Sequence, residues 1–390
     1  MNEGIKLTLV IKNIDGGTGT FLKQILNIGK PVEIISILAL EEQNFFPIGV
    51  CNIKYCRRKN IKYDPLGRIS ATKILLKEFL FIAKELSHTK PDVIIAIDTH
   101  CNLLVSLVKL IFKIKSKLIL SIHNNTSGVF AFKHHLFPVW FIRLSGKLLF
   151  GVASCIIGVS KGVTKDIIHN FDPTIPVYTI YYGLNFLPAH LLTDQLPSDD
   201  RKIFDGSIPT IITVSRLAGQ KDISTLLNAC EFLSSKKMKY KLIIVGDGKQ
   251  KNEFIEMVKK KNLEKTIHFL GWKSNIYPYL KHSDIFVLST HYEGFPFVLL
   301  EAMKAGLPII STDVSFGPRE LLRQDEFGLL TKPGDSTDMS EKISSLLTNQ
   351  KLRKHYKEKS LSRIEDFTES KMLERYRKII ERIFTEDEKT

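Results

Sequence analysis

The stretch from Tyr292 to Asp313, YEGFPFVLLEAMKAGLPIISTD, follows the apolar run DIFVLS and passes through a break, a helical segment and a second apolar run, PIISTD. Gly294-Phe295-Pro296 interrupts the first run, and Pro296 suits a first helical turn, where its missing N–H costs nothing. A helix that starts here offers unpaired backbone amides and a positive dipole end to a phosphate. Glu301, about one turn further in, is placed to accept hydrogen bonds from a diol. Glu293, on the loop, can meet hydroxyls on whatever hangs beyond the phosphates. Phosphate with a diol means a nucleotide, and the second carboxylate suits a sugar.

Outward from this stretch the same rhythm fills the chain. KLTLVIK, PVEIISIL, DVIIAID, KLILSIH, CIIGVS and VYTIYYG alternate with longer amphipathic segments, then fail across 186–207, where Pro, Asp and Ser accumulate. A second series follows: TIITVSR, KLIIVGDG, TIHFLGW, DIFVLS, PIISTD and GLLTKPGD. Continuous apolar runs of this length suit parallel strands covered by helices on both faces. The fold class is therefore α/β, with two doubly wound domains. We place the first at 1–185, a linker at 186–207, the second at 208–365 and a C-terminal helix at 366–390, where 372–384 reads as charged and amphipathic. Ligands of such sheets bind at the carboxyl ends of strands, so the loops after each run are where function is sought.

At 390 residues with 44% hydrophobic and 25% charged side chains, disordered and fibrous classes are excluded. Five scattered cysteines form no CxxC pair, which argues against a disulfide framework or zinc site. No export signal and no transmembrane run is read, and a cytosolic protein is expected; Leu148 to Val159, the most apolar stretch, is taken as a buried strand. The net charge of +15 is uneven: residues 1–190 carry 23 basic and 12 acidic side chains. No acidic residue lies between Asp98 and Asp166, while nine basic ones do, interleaved with apolar residues as in FAFKHHLFPVWFIRLSGKLLF. That pattern suits peripheral contact with an anionic membrane surface. It equally suits an amphipathic helix whose apolar face lines the core and whose lysines are solvated. Nucleic acid is not expected as a partner, since no binding module accompanies the charge.

Other strand ends carry weaker signals. After the first strand, Gly16 and Gly17 stand in DGGTGT ahead of a helix beginning near Phe21, and glycines there let a backbone approach a ligand. The spacing is neither GxGxxG nor a Walker loop, which disfavours a dehydrogenase or P-loop enzyme. After TIITVSR, Arg216 and Lys221 can clamp a diphosphate, the first as a planar fork and the second as a point charge. His123 ends the fourth apolar run; a buried, satisfied histidine is the alternative reading. His134 and His135 are taken as surface or packing residues. No metal-ligand set and no GxSxG elbow is found, so no cofactor, no catalytic metal and no covalent serine is expected. Val159-Ser160-Lys161 is read as a turn into a helix.

Taken in order, GGTGT, SIHN, IIGVSKGV, TIYYGLN, TVSRLAGQKD, LIIVGDG, HFLGW, the Tyr292–Asp313 stretch and GPRELL…FGLL resemble the retaining glycosyltransferases of family 4, the group 1 enzymes. The block STDVSFGPRELLRQDEFGLLTKPGD is most similar to enzymes that extend bacterial surface glycans. The resemblance implies the GT-B fold, two Rossmann-like domains with a cleft between them, with the C-terminal helix packing back on the first, acceptor-binding domain. It implies a nucleotide-sugar donor, with uracil the expected base, and a lipid-linked or lipopolysaccharide glycan acceptor. Arg216 and Lys221 would hold the diphosphate, assisted by backbone amides in the run from Gly294 through Phe295 and Pro296 to Phe297, Pro296 itself lacking an N–H, with the Gly16-Gly17 loop closing over it. Glu301 would bind the ribose, Glu293 the donor sugar, and residues near Gly271 and Trp272 the base. His123 would help position the donor. Transfer would proceed with retention by front-face displacement, the departing phosphate taking the acceptor's proton. Ala218-Gly219-Gln220 departs from the Pro-Glu pair that relatives often carry before Lys221. A sugar-nucleotide epimerase on the same fold is the rival reading, and a non-catalytic binding protein is disfavoured by the presence of Arg216, Lys221, Glu293 and Glu301.

Overall fold

The computed structural model describes residues 4–14, 16–41, 52–57, 68–124, 127, 139–185 and 195–385. Cys51, His134, His135 and residues 186–194 of the expected linker lie outside them. The chain forms two compact units: Met1–Gly183 with Glu369–Thr390, and Leu184–Thr368.

In the first unit seven strands, β1 (Ile5–Ile11), β2 (Val32–Glu41), β3 (Ile53–Arg57), β4 (Val93–Ile97), β5 (Lys117–Ile122), β6 (Cys155–Gly158) and β7 (Val177–Thr179), pair in the order β3-β2-β1-β4-β5-β6-β7. Every pairing is parallel. The inner strands read as unbroken apolar runs because helices cover them; β4 is buried throughout. Strand β3 has no such run: it is a short edge strand, IKYCR, only partly buried, and its pattern carries no signal of its own. His123 therefore follows the fifth strand, not the fourth. The helix Glu369–Thr385 buries Met372, Leu373, Tyr376, Ile380 and Ile383. Tyr376 lies 5.6 Å from the Phe21 ring, and Arg377 donates to the Ile28 carbonyl at 2.9 Å.

Leu148–Val159 is not one strand: a helix, Val139–Leu149, runs to its second residue, a 3-10 turn spans Phe150–Val152, and only Cys155–Gly158 is extended. An apolar run alone does not separate a helix end from a strand start. The helix after β1 begins at Gly16, not near Phe21, so the glycines form its first turn. Ser160 behaves as read, capping the helix Lys161–Phe171 through Oγ, which accepts from Val163 N at 3.1 Å.

The second unit holds β8 (Thr210–Val214), β9 (Lys241–Val245), β10 (Ile267–Gly271), β11 (Ile285–Leu288), β12 (Ile309–Thr312) and β13 (Leu329–Thr331), all parallel, in the order β10-β9-β8-β11-β12-β13. Its core gathers Ile211, Leu242 and Val287 from the strands with Leu226, Leu233 and Ile343 from the helices. The end of the expected linker belongs to this unit: residues 198–204 form helical turns, and Asp200 accepts from Lys273 Nζ at 2.7 Å and Tyr279 Oη at 2.6 Å. At its other margin Leu184 N donates to Phe367 O at 2.7 Å.

Candidate active site

Strand order reverses between β8 and β11, since β9 and β10 lie on one side of β8 and β11, β12 and β13 on the other. At such a switch point the loops leaving two neighbouring strands diverge and leave a crevice. The loop after β8 carries Arg216 and Lys221; the loop after β11 carries Glu293. The topology thus joins residues 72 positions apart: Lys221 Nζ donates to Glu293 Oε1, and both side chains are largely buried.

The β8 loop is held by close backbone approach. Ser215 N donates to Val245 O at 3.0 Å and Leu217 N to Asp247 O at 2.9 Å. This contact requires glycine at 246 and 248: a Cβ would stand 1.9 Å from Ser215 O and 2.2 Å from Leu217 O respectively, and Gly246 has φ +136°. The VGDG segment therefore shapes the cation loop. Gln220, the departure from the usual pair, staples the two loops. Its Nε2 donates to Tyr292 O at 2.9 Å, its carbonyl accepts from His291 N at 2.8 Å, and its Oε1 lies 3.4 Å from Arg216 Nη2. Thr290 Oγ1 stands 3.1 Å from Glu293 Oε1 and 3.1 Å from Gln220 O, and donates to one at a time. Sequence reasoning missed Gln220 and Thr290 as supports. Their only signal was adjacency to Lys221 and Glu293.

The helix of the opening stretch runs Phe297–Ala305, with Pro296 at the cap position and no side-chain cap. Pro296 thus precedes the helix instead of sitting in its first turn. The positive end of its dipole favours an anion, while Leu299 N already donates to Pro296 O at 3.1 Å. Gly294, Phe295, Pro296 and Phe297 are buried, Phe295 against the Phe367 ring at 5.5 Å; these side chains shape the loop, and its backbone is what remains to contact a ligand. A Cβ at Gly317, φ +78°, would come 2.7 Å from Pro296 Cδ, so the 315–317 turn lies directly on this loop. Glu301 is only partly exposed and has no polar partner among the described residues; burial pushes its carboxyl up to about 7. A half-buried carboxylate kept without a donor is one that a ligand's hydroxyls can satisfy.

At the end of β10, Gly271 has φ +69° and its carbonyl accepts from Gly246 N at 2.8 Å. Trp272 is 62% exposed. Lys273, anchored by Asp200, fixes this turn.

Gly16, Gly17 and His123 belong to the first unit. His123 is 5% exposed, with Nε2 2.7 Å from Ser121 Oγ, Nδ1 2.5 Å from Tyr182 Oη and its ring edge-on to Phe21 at 4.7 Å. Both ring nitrogens are occupied, and burial pushes the imidazolium down to about 3, so the ring is neutral at physiological pH.

Residues 198–363 match the family described as Glycosyl transferases group 1. An uncharacterised glycosyltransferase of Methanocaldococcus jannaschii is 30% identical over 345 residues, covering 79% of this chain and 83% of the relative. The lipopolysaccharide 1,6-galactosyltransferase of Escherichia coli is 27% identical over 344 residues, 84% of this chain and 83% of the relative. Among solved structures, Anabaena HepE in complex with UDP and glucose superposes with TM-score 0.74 at 17% identity, covering 97% of this chain and 99% of that one. The chain belongs to the group 1 glycosyltransferases, with the GT-B fold. As such it is a glycosyltransferase, which transfers a sugar from a nucleotide sugar to an acceptor.

Proposed function

We propose that the chain is a retaining, metal-independent hexosyltransferase that uses a UDP-sugar and elongates a lipid-linked or lipopolysaccharide glycan at the cytosolic face of a membrane. The observation that carries this reading is the switch-point cluster: Lys221 held on Glu293, Arg216 beside it, an uncapped helix start, and an unpartnered Glu301 one turn inside that helix. A departing nucleoside diphosphate gains negative charge. Two cations and backbone amides aimed at that charge stabilise it without a metal. Glu301, ionised, accepts from the ribose diol. Glu293 uses Oε1 for Lys221 and Thr290 and offers Oε2 to a hydroxyl of the sugar.

The departing phosphate oxygen takes the acceptor's proton on the face where the bond breaks, which preserves the anomeric configuration. His123, neutral and doubly hydrogen-bonded, supports the first unit's β5 end and moves no proton. UDP bound to the HepE neighbour supports uridine as the nucleoside, and the galactosyltransferase relative supports a surface-glycan acceptor.

The test incubates UDP-, GDP- and ADP-sugars with and without glycolipid acceptors, in EDTA and then magnesium, and reads the product anomer by NMR. Acceptor-dependent release of UDP in EDTA with an α-linked product from an α-donor supports the reading. Interconversion of the nucleotide sugar with no acceptor present would establish the epimerase instead.

A further inference from the structure

Twelve large hydrophobic side chains stand exposed among the described residues, and nine of them belong to one layer of helices in the first unit. The layer comprises Arg68–Thr89, Asp98–Phe112, Val139–Leu149 and Lys161–Phe171, each in contact with the next. On the first helix, Leu76 and Leu80 are exposed one turn apart. The second ends in exposed Leu110, Ile111 and Phe112, with the Phe112 ring 5.8 Å from Phe79. On the third, Trp140, Leu144 and Leu148 repeat at four-residue spacing and form one stripe, with Trp140 65% and Leu148 70% exposed. In the second unit the exposed examples, Phe232, Trp272 and Leu361, are scattered over separate elements. Single exposed apolar residues need no explanation, but a clustered face does.

The charge of this layer selects the occupant. Exposed Lys77, Lys113, Lys115, Arg143 and Lys147 lie among the apolar side chains. Every acidic group of the four helices and their caps is already engaged: Glu78 with His100, Glu85 with Lys54, Asp98 with Asn124, Asp166 with Ser127 and Asp172 with Lys147. A second copy on the same face would set cations against cations. No helix among the described residues is long and apolar enough to cross a membrane. An apolar stripe with a tryptophan at one end, fringed by cations, matches a surface that is apolar just beneath an anionic rim.

We infer that this four-helix face docks on a bilayer rich in anionic phospholipid, with Trp140, Leu144 and Leu148 entering the headgroup boundary and Lys113 and Lys115 meeting lipid phosphates. The inference stands on surface geometry and is independent of the donor site. It adds to the proposed function a means of reaching a lipid-linked acceptor.

The full chain is mixed with vesicles of phosphatidylcholine alone or phosphatidylcholine with equal phosphatidylglycerol, and bound protein is measured by sedimentation. Binding to the mixed vesicles alone is expected, weakening with added salt. The combined variant Trp140→Ala, Leu144→Ala, Leu148→Ala should bind about tenfold or more weakly, with an unchanged far-UV circular dichroism spectrum showing that the fold is kept. Lys113→Glu with Lys115→Glu should reduce binding and flatten its salt dependence. Absence of wild-type binding, equal binding to both vesicles, or an apolar variant that binds like wild type overturns the inference. So does a concentration-dependent dimer, seen by light scattering, that the apolar variant abolishes. Transfer to a detergent-dispersed acceptor should be unchanged in that variant, so lipid docking and glycosyl transfer fail separately.

Discussion

The two units share one strand plan: β3-β2-β1-β4-β5-β6 in the first corresponds step for step to β10-β9-β8-β11-β12-β13 in the second, with β7 added to the first. Each therefore has a reversal point between its first and fourth strands, and each brings strand-end loops together there. The residues on those loops differ in kind. Among the described residues of the second unit, Glu301 has no polar partner and the Lys221 ammonium is matched only to Glu293. In the first, His123 spends both ring nitrogens on Ser121 and Tyr182 inside an aromatic cluster with Phe21 and Tyr376. Topology decides where a ligand can sit; in the function proposed above, unsatisfied polar groups decide which of the two places holds the charge chemistry.

The comparison breaks most sharply at the cations. Arg216→Ala or Lys221→Ala should lower kcat by about 10²–10³-fold, in the range seen when one charge-stabilising group is removed, with melting temperature little changed for exposed Arg216. Normal turnover in both variants would remove the clamp from the mechanism. Next comes the backbone that shapes it: Gly248→Ala forces a Cβ to 2.2 Å from Leu217 O and should destabilise the second unit by about 2–4 kcal/mol in denaturant titration. Tolerance of alanine there would mean the cation loop is not held by that close approach.

His123→Ala should act on stability, costing about 2–3 kcal/mol from two unmet hydrogen bonds and a cavity, with nucleotide affinity by calorimetry unchanged. If instead the melting temperature holds and transfer collapses, His123 contacts the donor and the contrast between the units is wrong.

Glu301 gives the smallest and most informative effect. Glu301→Gln should weaken UDP about tenfold, the scale of a lost charged hydrogen bond. Its folded value of about 7 lies above the ordinary 4.5, so burial favours the neutral acid. The stabilisation from the neutral form is therefore complete below about 4.5 and lost as pH rises through about 7. The ligand-free protein should lose melting temperature from pH 6 to pH 8 relative to Glu301→Gln, while wild-type UDP affinity rises over the same interval because the carboxylate is the better acceptor. A pH-independent affinity would show that Glu301 does not meet the ribose.

Most of the architecture was legible because a strand buried on both faces must be apolar along its whole length. Twelve of the thirteen strands among the described residues carry that mark in the sequence, and β3, short and at an edge, does not. Where the apolar requirement is shared by a helix end and a strand start, as at Leu148–Val159, composition could not place the boundary. The identities of Arg216, Lys221, Glu293 and Glu301 were likewise readable, because cations and carboxylates placed just past apolar runs stand at strand ends.

What the amino-acid order determined by itself was which residues lie at the carboxyl ends of which strands, a local consequence of periodicity. What only the tertiary structure decided was which of those ends are neighbours and which polar groups remain unpaired. Lys221 meets Glu293 because β8 lies beside β11, Gln220 substitutes a loop-to-loop staple for the usual pair, and His123 is closed by Tyr182, 59 positions away. Pairing across such separations is a property of the folded sheet and its packing, and no local pattern encodes whether a polar atom finds its partner within the protein or is left for a ligand.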